Sequence, residues 1–241
     1  MGRAKDIIIK PISAKDARAI IRELHYSGKV VQNSQIHFGV FLDGKCGGAL
    51  SFGSSMDRAN LIGLVTNTGW CDFIELNRMA LADWLPRNGE SRAISVCMRL
   101  LKKHYPQLKW VVSFADGCQC GDGTIYRASG FVLTGIKRNK SIVEMPDGNI
   151  YHEISFSDTV GGSLLIAKYG KPSGVPRASW LTSIGAKPLD GYQLRYIYFL
   201  DPSYRERLTV PEIPFSKIDE MGIGMYKGKK RTADDSDLTT S

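Results

Sequence analysis

No stretch of the 241-residue chain is apolar for long enough to cross a bilayer, which takes about 20 consecutive apolar residues. The opening Met1-Gly2-Arg3-Ala4-Lys5-Asp6 lacks the apolar run of a secretory signal. Both absences point to a cytoplasmic protein. Cysteine is scarce and odd in number: Cys46, Cys71, Cys97, Cys118 and Cys120 do not make a disulfide framework in a chain of this size. Cys118 and Cys120 stand one residue apart with no second pair nearby, which is not zinc-finger spacing. Acidic side chains are outnumbered, 24 against 32 Lys and Arg, for a net charge of +8. The tail after Tyr226 is nearly balanced, so the excess belongs to the folded body and favours nucleic acid or a phosphate-rich cofactor. The remainder, 43% apolar and 23% charged, suits a globular domain with a sizeable core.

Apolar spacing places the elements. Ile7-Ile8-Ile9 ahead of Pro11-Ile12 predicts an edge strand. Ser13 can cap a helix over roughly 14–25, where Ala17, Ile20, Ile21 and Leu24 recur at helical spacing, and Gly28 is placed to end it. The runs 36–42 and 47–52 flank Asp43-Gly44-Lys45 and predict a hairpin. Phe73–Leu81 reads as a strand. A helix over 91–105 carries the stripe Ile94, Cys97, Met98 and Leu101; a central strand over 109–115 follows, then a short helix near 124–129 and a strand over 131–136. This β–α–β–α–β order predicts an α/β fold with a mixed central sheet flanked by helices. A single domain is expected over 1–226, with its core at about 7–140. The extension at about 141–226 reads as irregular, 192–200 being its clearest strand, and the polar 227–241 as a disordered tail.

Arg87-Asn88-Gly89-Glu90-Ser91-Arg92 lies between a strand and a long helix, where free N–H groups and the positive dipole end can hold a pyrophosphate. Gly89 lets the backbone approach closely, Ser91 can cap the helix or donate to phosphate, and Arg87 and Arg92 add charge. An ordinary loop with a serine cap would use the same residues. Together with Ile125-Tyr126-Arg127-Ala128-Ser129-Gly130-Phe131 after the next strand, the segment resembles the acetyltransferase (GNAT) superfamily. There an Arg/Gln-x-x-Gly-x-Gly/Ala loop binds the CoA pyrophosphate and a Tyr-x-x-x-Gly-Phe element follows. The present loop departs from that pattern, because Gly89 comes only two residues after Arg87 and the last small residue is Ser91.

Further segments resemble the phage Mom family of DNA-modification proteins. They are His25-Tyr26-Ser27-Gly28 with Asn33-Ser34, Glu75-Leu76-Asn77-Arg78, Asn88-Gly89-Glu90-Ser91-Arg92, Ser113-Phe114-Ala115-Asp116, Gly123-Thr124-Ile125-Tyr126-Arg127-Ala128 and Arg195–Asp201. The resemblance implies a GNAT-like fold and conversion of adenine N6 in duplex DNA to N6-carbamoylmethyladenine, which protects phage DNA from host restriction. It also implies a bound iron and acetyl-CoA as acyl source. Matching positions give His25, Tyr26, Asp116 and Tyr126 as the metal and catalytic cluster. Arg78 and Ser91 belong by the same match to the cofactor or active-site surface.

The chemistry asked of these residues is demanding, because the lone pair of adenine N6 is delocalised into the ring and a base or an activated electrophile is required. His, Asp and phenolate donors suit iron. Each residue also has a plainer use: His25 as a helix-end histidine, Asp116 as a turn residue before Gly117, Tyr126 as core packing or as proton donor to a leaving thiolate. His37 reads as structural, His104 as a partner of the helix dipole, and His152 has no assignable role. Reaching N6 in a duplex calls for base flipping into an aromatic pocket with a basic rim. Trp70, Phe73, Trp84, Trp180 and Tyr192 could line such a pocket. Lys137, Arg138, Lys140 and Arg177 are the candidate DNA contacts. Two other readings are compatible with the sequence: an N-acetyltransferase of a small-molecule or protein amine, and a non-catalytic DNA-binding protein on a GNAT scaffold.

Overall fold

The computed structural model describes residues 2–118, 121–157, 160–223, 225–226 and 229–230. Along the chain, β1 (Ile8–Pro11) leads through α1 (Ala14–Leu24) to the hairpin of β2 (Ser34–Leu42) and β3 (Lys45–Gly53). The short α2 (Arg58–Leu61) precedes β4 (Phe73–Leu81), α3 (Gly89–His104), β5 (Trp110–Asp116), α4 (Thr124–Ala128) and β6 (Val132–Arg138). Next come β7 (Ile142–Glu144), β8 (Ile150–His152), α5 (Val160–Tyr169), α6 (Arg177–Ser183) and β9 (Lys187–Pro188). The chain then enters β10 (Tyr192–Phe199), α7 (Ser216–Glu220) and a two-residue ladder of β11 (Met225–Tyr226) with β12 (Lys229–Lys230). Apart from that ladder's second strand, the tail expected to be disordered (227–241) lies outside the described residues.

Seven strands form one sheet in the order β1-β2-β3-β4-β5-β10-β6. All neighbours are antiparallel except β4 and β5, which run parallel and pair only from Phe73↔Trp110 to Glu75↔Val112. Beyond that register β4 continues to Leu81 and β5 to Asp116 without pairing, so the sheet opens between its two central strands.

Each face is covered by different helices. On one, α3 lays Ala93, Ile94, Cys97, Met98 and Leu101 against Leu50, Phe52, Ile74, Leu76, Val111 and Ala115, with Tyr126 of α4 beside them. The predicted stripe is that buried face. On the other, Ala17 and Ile21 of α1 meet Ala49 and Ala80, whose small side chains let the helix approach closely. Farther along the same face, Leu61 and Leu64 cover Phe73, Trp110, Val112 and Ile197. Trp110 is fully buried there, its ring stacked on Phe73 at 4.2 Å and its Nε1–H donating to Thr68 Oγ1.

The segment after 140 is more ordered than its sequence suggests. Between β6 and β10 it builds a small three-stranded sheet in the order β8-β7-β9 beside α5 and α6. This inserted layer has its own cluster of Val143, Met145, Phe156, Trp180 and Leu181. Short strands and low periodicity hide it, because its core is assembled from aromatics scattered over some 40 residues. Asn139 fastens its base, donating to the carbonyls of Ile142 and Leu189 and accepting from the N–H groups of Ser141 and Ile142. The chain then returns through β10 into the main sheet, between β5 and β6.

Candidate active site

Two groups of candidate residues lie on opposite faces of the sheet. The first lies at the start of α3. Asn88 takes a left-handed φ of 66° and no side chain caps the first turn, so the helix begins at Gly89, two residues before the expected start. Ser91 is not the cap: its Oγ donates to the Asn88 carbonyl at 3.2 Å. A cavity of about 410 Å³ is bounded by Leu81, Arg87, Asn88, Gly89, Ser91 and Thr124. It therefore joins five residues of the predicted phosphate loop to the N-terminus of α4. Arg92 is not among its lining residues, whereas Asp83 and Glu90 are. Asp83 and Glu90 set carboxyls beside Arg87, and burial with the neighbouring Asp83 raises Glu90 above its ordinary range, which lessens the negative charge it brings to the cradle.

The second lies on the α1 face. Arg78 projects there from β4 and donates from Nε to the Lys29 carbonyl at 3.2 Å and from Nη1 to the Asn77 carbonyl at 2.8 Å. Lys29 Nζ reaches Ser155 Oγ at 3.3 Å and lies 5.2 Å from the centre of the Tyr151 ring. The loop after α1 is thus clasped between the main sheet and the inserted layer. Burial and Arg78 hold Lys29 below its usual pKa. Glu75, on the same strand, is raised by burial against hydrogen bonds from Ser55 and Asn77 and the charge of Arg78. His152 is lowered mainly by burial, with Asp116, Lys29 and Arg177 all close enough to act on it electrostatically.

His25 ends α1 as its sequence position requires, with Gly28 (φ 59°) donating back to its carbonyl at 2.8 Å. Its Nδ1 accepts from the Ser27 N–H at 3.1 Å and lies 2.8 Å from Ser27 Oγ. An amide N–H can only donate, so Nδ1 is unprotonated and the neutral ring carries its proton on Nε2. Burial, with Arg78 adding to it, lowers the pKa to about 4. His25 is therefore a neutral Nε2–H donor. His152 repeats the arrangement, its Nδ1 accepting from the Ile154 N–H at 3.2 Å. Both rings are held by the same two-residue turn.

Ligation of a metal through Nε2 would use the other neutral tautomer, with the proton on Nδ1 donating to Ser27 Oγ at 2.8 Å. The other three named ligands are dispersed: Tyr26 is 54% exposed beside His25, Asp116 ends β5, and Tyr126 is buried on the α3 face against Phe131 and Tyr196. Among the described residues no three His, Cys, Asp or Glu side chains come together as a metal site.

Asp116 Oδ1 accepts from the Cys118 N–H at 3.0 Å, the turn that its plainer reading anticipates. It nonetheless stands where β4 and β5 have parted, close enough to His152 to act on its charge. His37 is structural, 2.8 Å from Ser51 Oγ beneath α1. Of the proposed pocket aromatics, Phe73 and Trp180 are core residues, and Trp70 is exposed but rests on the Arg58 guanidinium. Lys29, Glu75, His152 and Phe114 are the residues that sequence reasoning leaves without a role. Phe114 precedes Asp116 on the same strand, and folding brings His152 close to Asp116.

Residues 6–217 match the Mom protein family. The chain belongs to that family. Every candidate residue, from His25 to Arg177, falls within the match. Methylcarbamoylase Mom of Escherichia phage Mu is 36% identical over 207 residues, 86% of this chain and 80% of that protein. Among solved structures, the ribosomal-protein-S18-alanine N-acetyltransferase of Escherichia coli is similar with a TM-score of 0.44, at 12% identity over 81% of this chain and 94% of that one. A GNAT family acetyltransferase from Elizabethkingia anophelis with acetyl-CoA bound scores 0.40 at 12% identity, over 80% and 98%. No helix among the described residues of this family member is long and apolar enough to cross a membrane.

The depressed pKa of His25 has a consequence for stability. Between about 4 and the ordinary value of 6.5 the unfolded chain binds a proton that the folded chain refuses, so stability rises with pH across that window and falls on acidification. His25→Gln should flatten the stability profile between pH 4 and 6.5, as measured by urea unfolding. An unchanged slope would place the acid sensitivity elsewhere.

Proposed function

We propose that this Mom-family chain is a DNA-modifying transferase that attaches a carbamoylmethyl group to N6 of adenine, using an acyl-CoA-type cofactor. Family membership over most of the chain carries this reading. The geometry supports it with a cavity at the start of α3 and a group of polar and charged side chains around Lys29 and Arg78. The cofactor's phosphates would rest on the first turn of α3 and on Arg87, with the acyl arm running into the opening between β4 and β5. The acceptor base would enter from the α1 face. As N6 forms its bond to the incoming carbon, one of its protons must leave; the Asp116 carboxylate at the end of β5 would accept it. Tyr126 of α4 stands on the α3 face, where an acyl-CoA-type cofactor would supply an activated carbon. His25 and Arg78 act as donors that steady the developing negative charge. Lys137, Arg138 and Lys140 at the end of β6, with Arg177 at the start of α6, form the DNA-contacting rim.

Mass spectrometry of nucleosides from cells producing the protein tests the reading directly. A modified deoxyadenosine heavier by a carbamoylmethyl group is expected, and an unmodified profile with abundant soluble protein would overturn it. The cradle is tested separately by calorimetric titration with CoA. Arg87→Glu should weaken binding at least tenfold, since a charge-assisted contact contributes about 1.5–3 kcal/mol. Glu90→Gln should strengthen binding, because it removes the carboxyl that Asp83 and burial already disfavour. Equal affinity in both variants would remove the loop from the cofactor site.

A further inference from the structure

Phe114 is the anomaly of the central sheet. Its strand, β5, has β4 on one side and β10 on the other, and Val112, two residues earlier on the same face, is completely buried. Phe114 is 42% exposed. It lies just past Glu75↔Val112, where β4 and β5 stop pairing, and before Asp116 on the same face. An apolar ring uncovered at the floor of a cleft costs solvation without any packing return, which marks it as a surface kept for a ligand.

The rim states what kind of ligand. Arg78 holds the Lys29 carbonyl and Lys29 Nζ bridges to Ser155, so both cations are fixed by neutral partners. Among the described residues no carboxylate lies within ion-pair distance of Lys29, Arg78 or Arg177. His25 and His152 add Nε2–H donors and no charge. A flat apolar ring near cations that form no ion pair among the described residues is complementary to a flat ring that carries an anion, as a nucleotide does.

We infer that Phe114 is the stacking platform for the extruded adenine, and that Lys29, with Arg78 behind it, holds the phosphate of that same nucleotide. The inference rests on the DNA reading above and adds the acceptor subsite to it. Stacking on Phe114 sets the exocyclic amine toward Asp116, while Lys29 fixes how far the nucleotide rotates out of the duplex.

The test uses the full chain and two fluorescent probes, 2-aminopurine deoxyriboside and its 5′-monophosphate, whose emission falls on stacking. Wild-type protein should quench both and bind the monophosphate more tightly. Phe114→Leu should abolish the quenching and weaken binding about tenfold, the order of one base–aromatic stack. Phe114→Trp should restore quenching, which a merely structural role would not do. Lys29→Gln should weaken the monophosphate to the level of the nucleoside and leave the nucleoside unchanged. Quenching retained in Phe114→Leu, or Lys29→Gln acting on both probes alike, would overturn the proposal. Adenine modification in cells is scored in parallel. Loss of quenching by Phe114→Leu in a protein that leaves DNA unmodified would point to a nucleotide site with other chemistry. Modification by Phe114→Leu at the wild-type level would sink the stacking role and leave the adenine reading standing.

Discussion

Asp116→Ala is expected to lower adenine modification by at least a hundredfold while leaving the protein folded. The size follows from the role: a positioned general base contributes about 10²–10⁴ to a rate. Glu75 of β4 is a poor replacement, because its carboxylate is already engaged by Ser55 and Asn77. The structural cost is small because Asp116 ends its strand and its side chain accepts the Cys118 N–H of the following turn. Losing such a bond costs about 0.5–1.5 kcal/mol, which in a domain this large moves the melting temperature by only a few degrees. Asp116→Asn sharpens the test. The amide oxygen still accepts from Cys118 but cannot take a proton, so the turn survives and the chemistry should not. Nucleoside mass spectrometry read beside a thermal melt checks both halves. Modification at the wild-type level by either variant would remove Asp116 from the reaction.

How far the site can be read from sequence depends on how local its causes are. The helix stripe Ile94, Cys97, Met98 and Leu101 and the Asp43-Gly44 hairpin follow from neighbours in the chain and stand where the spacing puts them, whereas α1 ends at Leu24 with His25 as its cap and Gly28 closes the turn beyond. The phosphate loop is legible for the same reason, although the left-handed Asn88 that starts α3 early has no signature beyond its tolerance of positive φ. The acceptor side is not legible. Lys29 and Ser155 meet across 126 residues of chain, and Phe114 is exposed only because two strands diverge beside it. Alternating apolar patterns announce a buried strand, and a strand left uncovered at one position looks the same. The inserted layer escapes for a related reason: Phe156 and Trp180, which pack at 5.4 Å, have no common periodicity. The residue type of His25 suggests a ligand, but its two-residue contact with Ser27 decides which nitrogen is available, and that contact is a matter of geometry.

Combining Lys137→Glu, Lys140→Glu and Arg177→Glu is expected to weaken DNA binding at least a hundredfold and to flatten its salt dependence. Every phosphate that the protein no longer neutralises should reduce the slope of log affinity against log salt by about 0.9. Reversal also adds repulsion, so the fall in affinity should exceed what the slope alone accounts for. Arg138 supplies an internal control. It already faces Asp190 at 3.6 Å, so its charge is partly spent within the protein, and Arg138→Gln should do less than Lys137→Gln or Lys140→Gln. Both lysines are exposed at the root of the inserted layer, where no carboxylate compensates them among the described residues. The kinetic form of the defect separates this rim from the chemistry. A residue that only touches the DNA backbone binds ground state and transition state equally, so the triple variant should raise KM for DNA and keep kcat. Asp116→Asn should do the reverse. A triple variant with unchanged affinity and slope would move the DNA path off this edge of the sheet.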